Sequence, residues 1–381
     1  MELAVVGLRG LPDVIGGIET HCEELYPRVS LAAGPDLKIT VLARRPYSQK
    51  TRFQFRGVDV LPLPSIKNRY FETITHTILA VLVARFGRAK MIHIHAIGPG
   101  LCVPFAKLLG MRVIHTHHGE DYNRAKWGRF ASALLRAGEY VAVRFSDEVI
   151  VVSRSVAKRL RQRFPGKANN IHYVPNGVAI PPTAAADNEV LTQHELRKGS
   201  YVLGIGRLVP EKGFHDLVAA YTASGLEQRG VSLVIAGDAL HESEYSAGLQ
   251  SDPPPGVNFC GRLPRNEVLA LCRNASLFVL PSYHEGLSIA GLEALMVGAP
   301  VLFSDIEPNT DLGLPSHNYF PVGDVSALAQ KLAEPHAAYL LGTREFLAEF
   351  DWDDIARQTL AIMLGSADRC RLTEKPDFLD G

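Results

Sequence analysis

The segment Ala275–Pro300, ASLFVLPSYHEGLSIAGLEALMVGAP, narrows what this chain can fold into more than any other stretch. Its apolar start, Ala275–Leu280, reads as a buried strand. Pro281 and Ser282 end the strand, and Glu285 and Gly286 form a short turn. Ser288 is placed to cap a helix that runs through Leu292, Ala294, Leu295 and Met296 and stops near Gly298. Strand, tight loop and helix N-terminus in that order make an anion site, because the helix start offers backbone N–H groups and the positive end of its dipole. Glu285 sits in the loop, and Glu293 lies roughly a turn and a half inside the helix. Two carboxylates would repel a bare phosphate. They make sense facing hydroxyl groups on either side of one, as in two sugars flanking a diphosphate. Glutamate early in a helix also arises because it complements the dipole, a gain of about 0.3–1 kcal/mol, so the segment alone leaves both readings open.

The same alternation runs through the whole chain. Leu3–Val6 is a short strand, followed by the loop Gly7–Gly17 (GLRGLPDVIGG) and a helix over Glu19–Val29. Strand-like runs recur at Lys38–Ala43, Val58–Leu61, Met91–Ile94, Arg112–His115 and Glu148–Val152. Helical stretches fall between most of them, as at Phe71–Phe86, Pro104–Leu109 and Ala131–Phe145, and Ser153 caps another. This pattern predicts a parallel, doubly wound sheet. Val178–Ser200, rich in Pro, Ala and polar residues, reads as a linker. A second alternation follows at Tyr201–Gly204, Val231–Ala236, Val257–Cys260, Leu277–Leu280 and Pro300–Ser304. The expectation is an α/β chain of two Rossmann-like, doubly wound domains facing a cleft, over residues 1–178 and 179–351, with a loose tail at 367–381.

Composition excludes several classes. Lys+Arg and Asp+Glu both number 40, so no net charge draws the chain to nucleic acid. Five scattered cysteines without a Cys-x-x-Cys pair argue for a reducing compartment and against a thiolate metal site. The start, MELAVVGLRG, lacks the layout of a secretory signal, and no apolar run is long enough to span a bilayer. These features set the expectation of a cytoplasmic protein whose membrane contact is peripheral, at the inner face.

Other strings carry chemistry less specifically. In Gly206–Gly213 (GRLVPEKG), Arg207 can grip phosphate with two hydrogen bonds and Lys212 can add a point charge, although such residues are ordinarily just solvated. Gly7–Gly17 does not meet the G-x-G-x-x-G spacing, and by itself is a plain turn. His93, His95, His115, His117 and His118 fall on neighbouring expected strands. Zinc is set aside for want of a nearby Cys, and packing under the loops is the ordinary alternative. Asp351-Trp352-Asp353 spells D-x-D at a helix start, where Asp serves capping. Tyr122–Tyr140 combines Arg124, Lys126, Arg129 and Arg136 with Trp127, Phe130, Leu134 and Leu135. It is either a half-buried helix or an interfacial face for an anionic membrane or a lipid-diphosphate acceptor.

HEGLSIAGLEA, with seven residues between its glutamates, resembles the signature of family-4 retaining glycosyltransferases of GT-B architecture. GRLVPEKG, Val234–Asp238 (VIAGD) and Phe259–Leu263 (FCGRL) resemble further motifs of that family, in family order across roughly the last half of the chain. Tyr173–Gly177 (YVPNG) is similar to the segment that closes its first domain, and FDWDDIA to its tail, whose helix, near 352–366, returns to that domain.

The resemblance implies a role for each matched position. Glu285 lies by the donor sugar, and Glu293 bonds the ribose. Arg207 and Lys212 hold the donor diphosphate together with Leu287, Ser288 and Ile289 at the helix start. Gly16 and Gly17 close over the phosphates. Backbone near Arg262 and Leu263 meets the base. His118 touches an outer hydroxyl of the sugar, with His117 as the alternative register.

The resulting expectation is a retaining transferase, acting from a nucleotide sugar on a sugar or lipid-linked saccharide acceptor. It needs no cofactor and no metal, and serves cell-surface polysaccharide or glycolipid assembly. The first domain resembles exopolysaccharide and capsule transferases more loosely. The alternatives are a nucleotide-sugar epimerase on the same scaffold and a non-catalytic nucleotide-sugar-binding protein.

Overall fold

The computed structural model describes residues 1–48, 50–66, 72–120, 128–178, 187–239, 243–342 and 345–365. The chain divides into two units, with boundaries at Gly177–Val178 and Glu349–Phe350.

The first unit is built on an eight-stranded sheet. Its strands are β1 (Glu2–Val6), β2 (Lys38–Arg44), β3 (Phe53–Phe55), β4 (Val58–Leu63), β5 (Met91–His95), β6 (Arg112–His117), β7 (Glu148–Val151) and β8 (Ile171–Tyr173). They lie in the order β3-β4-β2-β1-β5-β6-β7-β8. Every pairing is parallel except β3 with β4. β1, near-continuously apolar, and β5, which alternates apolar residues with His93 and His95, are both buried on both faces, as crossover helices on both sides of a parallel sheet require. Val6, Ile92, Ile94 and Val113 form the centre of one core layer. The short strands β3 and β8 had no sequence signal, since three residues are too few to show a period. β3 turns back on β4 through Arg56 and Gly57, both at positive φ (46° and 84°), the backbone of a tight hairpin.

The second unit holds a six-stranded, wholly parallel sheet. Its strands are β9 (Tyr201–Ile205), β10 (Ser232–Ala236), β11 (Val257–Gly261), β12 (Leu277–Leu280), β13 (Val301–Ser304) and β14 (Tyr319–Phe320). Their order is β11-β10-β9-β12-β13-β14, over a core centred on Val202, Leu233, Leu277 and Leu302. The linker expected over Val178–Ser200 is corrected from Asp187 onward. Asp187–Gln193 is a helix, held by Arg273 and Asn274, which both bond the Asp187 carboxylate.

In both units the strand order reverses beside the first strand, between β1 and β5 and between β9 and β12. Ligands of open α/β sheets bind at the carboxyl ends of strands at such points. The helix Trp352–Leu364 belongs to the first unit and packs on the helix Gly17–Ala33. Arg28 Nε lies 3.0 Å from Asp353 Oδ1, and the indole of Trp352 covers Gly177 so closely that a Cβ there would lie 2.5 Å from the ring. Asp351 accepts from the backbone N–H of Asp353 (2.9 Å) and Asp354 (3.0 Å). The D-x-D carboxylates are thus occupied by a helix cap and an arginine. Among the described residues no helix is long and apolar enough to cross a membrane. In the Tyr122–Tyr140 stretch, residues 122–127, with Arg124, Lys126 and Trp127, lie outside the described residues. The helix Arg129–Phe145 buries Glu139, Ala142 and Val143 and exposes Leu134, Tyr140 and Phe145.

Candidate active site

At the carboxyl edge of the second sheet, neighbouring strands β9 and β12 each feed a loop and then a helix. The β9 loop carries Arg207 and Lys212, and the β12 loop carries Ser282, Glu285 and Ser288. Gly213 locks the two loops together. Its φ is +69°, and a Cβ there would lie 2.0 Å from the carbonyl oxygen of Pro281, so neither its backbone nor its neighbour admits a side chain. Tyr283 N donates to the Glu211 carbonyl (2.9 Å), and the Tyr283 hydroxyl donates to Asp216 Oδ2 (2.6 Å). On this frame Lys212 Nζ approaches Glu285 Oε1 at 2.5 Å, and Ser282 Oγ donates to the same oxygen at 2.7 Å. Both charged side chains are half-buried.

Ser288 caps the helix Ile289–Val297, its Oγ accepting from Gly291 N at 3.2 Å. The start of that helix, with Leu287, Ser288 and Ile289, therefore sits in the same loop as the Lys212–Glu285 pair. Glu293 points from the helix to Arg265, whose Nε lies 2.9 Å from Oε1, and is buried. Arg262 is exposed and Leu263 half-buried, just past β11. The edge is knit further by Leu208 N to Asp238 O and Gly237 N to Gly261 O. The sequence brought out Arg207, Lys212, Glu285, Ser288 and Glu293 but missed Ser282, Arg265 and Asp216, which are ordinary polar residues until the strands are paired.

At the carboxyl edge of the first sheet, the loop after β1 is closed by Arg9. Its Nε donates to Glu19 Oε1 (2.9 Å), and its Nη2 donates to Glu19 Oε2 (2.9 Å) and to the Ile15 carbonyl (2.8 Å). Gly16 is at φ +145°, with no room for a Cβ beside Glu19 Oε2, whereas the Cβ position of Gly17 faces open space. So the two glycines differ: Gly16 is required by the loop's own packing, and Gly17 presents bare backbone outward.

The histidines divide by face. His117 is fully buried, its Nε2 3.0 Å from Glu139 Oε1, and Glu139 is also held by Arg163 (2.7 Å). His115 Nδ1 bonds the Ile94 carbonyl at 3.0 Å. His118 is half-buried on the other side, its Nε2 2.9 Å from His95 Nδ1. Of the two registers considered, His117 is committed to Glu139, and His118 lies against His95 and His21. Behind His118 runs a hydrogen-bonded line. The Tyr26 hydroxyl bonds both His95 Nε2 and His93 Nδ1, and His93 Nε2 meets Thr116 Oγ1 at 2.7 Å. His21 joins from the first helix, with Nδ1 2.9 Å from Asn176 Oδ1. Burial pushes His21 down to about 4, and burial followed by neighbouring rings holds His93, His95 and His118 well below the ordinary imidazole range. Burial thus favours the neutral form of each ring along the line. Sequence reasoning found His93, His95 and His118 but not His21, Tyr26 or Asn176. His21 lies one turn beyond the paired glycines, a signal that spacing from that loop would have supplied.

Comparison with known proteins agrees with this architecture. Residues 15–180 match the family described as Glycosyltransferase Family 4, and residues 188–335 match Glycosyl transferases group 1. A glycogen synthase of Mycobacterium tuberculosis is 26% identical over 96% of this chain and 95% of its own length. A GDP-mannose-dependent alpha-(1-6)-phosphatidylinositol monomannoside mannosyltransferase from the same species is 29% identical, over 70% of this chain and 73% of its own. The structure of sucrose-phosphate synthase from Thermosynechococcus elongatus superimposes with a TM-score of 0.76 at 23% identity, covering 94% of this chain and 97% of that one. With motif order, two doubly wound sheets and these matches in agreement, the chain belongs to the family-4 glycosyltransferases of GT-B architecture.

Proposed function

We propose that this glycosyltransferase is a retaining, metal-independent enzyme that moves a hexosyl or deoxyhexosyl group from a nucleotide sugar to an acceptor hydroxyl. The proposed setting is cell-surface polysaccharide or glycolipid assembly at the inner face of the membrane. The observation that carries the reading is the Lys212–Glu285 pair beside the capped start of the Ile289–Val297 helix. The cation and the carboxylate pair with each other. A donor diphosphate would take Lys212, joined by Arg207 and the backbone N–H groups at Leu287–Ile289, so that charge growing on the leaving group is stabilised by groups already in place. Glu285, released from Lys212 but still held by Ser282, would accept from a sugar hydroxyl. Glu293 is assigned to the ribose, which must share it with or displace Arg265, and the strand end at Arg262–Leu263 to the base. In the first unit, Gly17 is assigned to the phosphates, Gly16 to shaping the loop that presents it, and His118 to the sugar.

That relatives are named for GDP-mannose and for a phosphatidylinositol mannoside supports a nucleotide-sugar donor and a lipid-linked acceptor. A thermal-shift screen of nucleotide sugars tests the reading, because a ligand at 100 times its dissociation constant adds about 2.7 kcal/mol. No shift with any nucleotide sugar would reject it. Transfer is expected to survive EDTA, and loss restored by magnesium or manganese would overturn metal independence.

A further inference from the structure

The histidine line of the first unit holds more than the transfer chemistry uses. His21 from the first helix, His95 from the end of β5 and His118 from the loop after β6 each offer a ring nitrogen, and these atoms lie within 4.8 Å of one another. His21 Nδ1 faces a carbonyl-type oxygen, Asn176 Oδ1, at 2.9 Å, so Nδ1 carries the hydrogen and Nε2 keeps its lone pair. That Nε2 is buried and has no hydrogen-bond partner among the described residues. His95 is held from behind by the Tyr26 hydroxyl on Nε2, which turns its Nδ1 toward His118. A ring nitrogen tied to a protein oxygen while the other points inward is the arrangement that orients metal-bound histidines. A buried lone pair with no donor is also costly, and a cation relieves it.

We propose that His21, His95 and His118 form a three-imidazole site for a first-row divalent cation, with Zn²⁺ the ion best suited to three nitrogen ligands and an open fourth position. Metal–nitrogen bonds of about 2.0–2.1 Å in tetrahedral geometry set the three atoms about 3.3 Å apart, which eases His95 Nδ1 and His118 Nε2 from 2.9 Å and closes the wider separations. His118, half-buried and followed by Gly119 at φ +140°, is the ring that closes. In the bound form His95 donates from Nε2 to Tyr26 and His118 carries its hydrogen on Nδ1, so both inner nitrogens are bare. One consequence rests on the assignment of His118 to the donor sugar: zinc takes the same imidazole and slows transfer.

The test titrates the full chain, stripped by chelator, with Zn²⁺ by calorimetry and with Co²⁺ by visible absorption. One equivalent is expected, with a tetrahedral cobalt spectrum. Affinity should fall at least about tenfold in His21→Phe and in His118→Ala, and stay unchanged in the exposed-site control His317→Ala. Circular dichroism and a parent-like thermal transition report that each variant is folded. Absence of stoichiometric binding, or binding that survives both replacements, overturns the site. Binding to the triad that leaves transfer untouched overturns the competition and the assignment of His118, while the titration continues to support the site.

Discussion

The two units share a fold plan and build their functional edges from opposite materials. The second unit uses charge, with Lys212 against Glu285 and Arg265 against Glu293 at strand ends that are neighbours in the sheet. The first, apart from the Arg9–Glu19 pair that closes the loop after β1, uses neutral rings and a hydroxyl, gathered from positions as far apart as His21 and Asn176. If a donor diphosphate takes Lys212, as proposed, that cation is paired before and after, and Glu285 keeps its hydrogen bond from Ser282. A buried line of neutral imidazoles cannot take up a proton without losing its hydrogen-bond pattern. On the proposed reading, the charged edge of the second unit suits a diphosphate, and the histidine edge of the first offers neutral ring nitrogens.

The strongest break in that contrast is Glu285→Ala. The residue is a loop carboxylate that holds no core together, so thermal stability should stay near the parent's. Turnover should fall about a hundredfold or more, the scale for a group acting in the transition state. Near-normal turnover would remove Glu285 from the site. Next in size are Lys212→Ala and Arg207→Ala. Each is expected to weaken nucleoside diphosphate binding by roughly 1.5–3 kcal/mol, the range for hydrogen bonds to charged groups. Unchanged calorimetric affinity in both would mean that the charges of the second unit serve packing only.

Acid should separate the units as well. His76 is pushed down to about 4 and His115 to about 3, in both cases chiefly by burial, and His21, His93, His95 and His118 move the same way in the same unit. In the second unit burial lowers His336. A folded value below the unfolded one of about 6.5 means that the unfolded chain binds more protons in the interval. Stability is then full above pH ~6.5 and lost as pH falls toward 4, by about 1.4 kcal/mol per pH unit for each such ring while its folded form stays neutral. Limited proteolysis at pH 5 mapped by mass spectrometry should cut the first unit before the second. Equal cleavage of both would show that the histidine line is not what sets acid stability.

The same contrast explains what could be read from the sequence. Parallel strands announced themselves as apolar runs, and all five runs expected in the second unit are strands there. The charged edge was legible because Arg207 and Lys212, and likewise Glu285, Ser288 and Glu293, sit within single loop–helix segments. The neutral edge was not, since Tyr26, His93 and Thr116 meet only once the helix Gly17–Ala33 packs on the paired strands β5 and β6. No local pattern marks Tyr26, nine residues past the glycine pair, as the partner of two histidines on a distant strand. Arg265 was missed for a related reason: it lies in a different helix from Glu293, and helical spacing says nothing about such pairs.

The smallest expected effect compares two helix caps. Ser288 and Asp351 do the same local work, each accepting backbone N–H groups at a helix start. Replacing either with Ala should cost about 0.5–2 kcal/mol of stability. Their surroundings differ. The helix behind Asp351 lies on the first helix of its unit, with Asp353 against Arg28, so loss of that cap should leave ligand affinity alone. The helix behind Ser288 opens in the loop that holds the Lys212–Glu285 pair. Fraying its first turn should also misdirect the N–H groups assigned to the diphosphate, lowering affinity by a further few tenths to about 1 kcal/mol, the reach of the dipole at a helix end. Denaturation and nucleotide titration of the two variants side by side decide the matter. Equal loss of stability with loss of affinity in Ser288→Ala alone is the expected pattern. Unchanged affinity in Ser288→Ala would show that the positive end of this helix does not bind the donor, and would leave the leaving-group charge to Arg207 and Lys212.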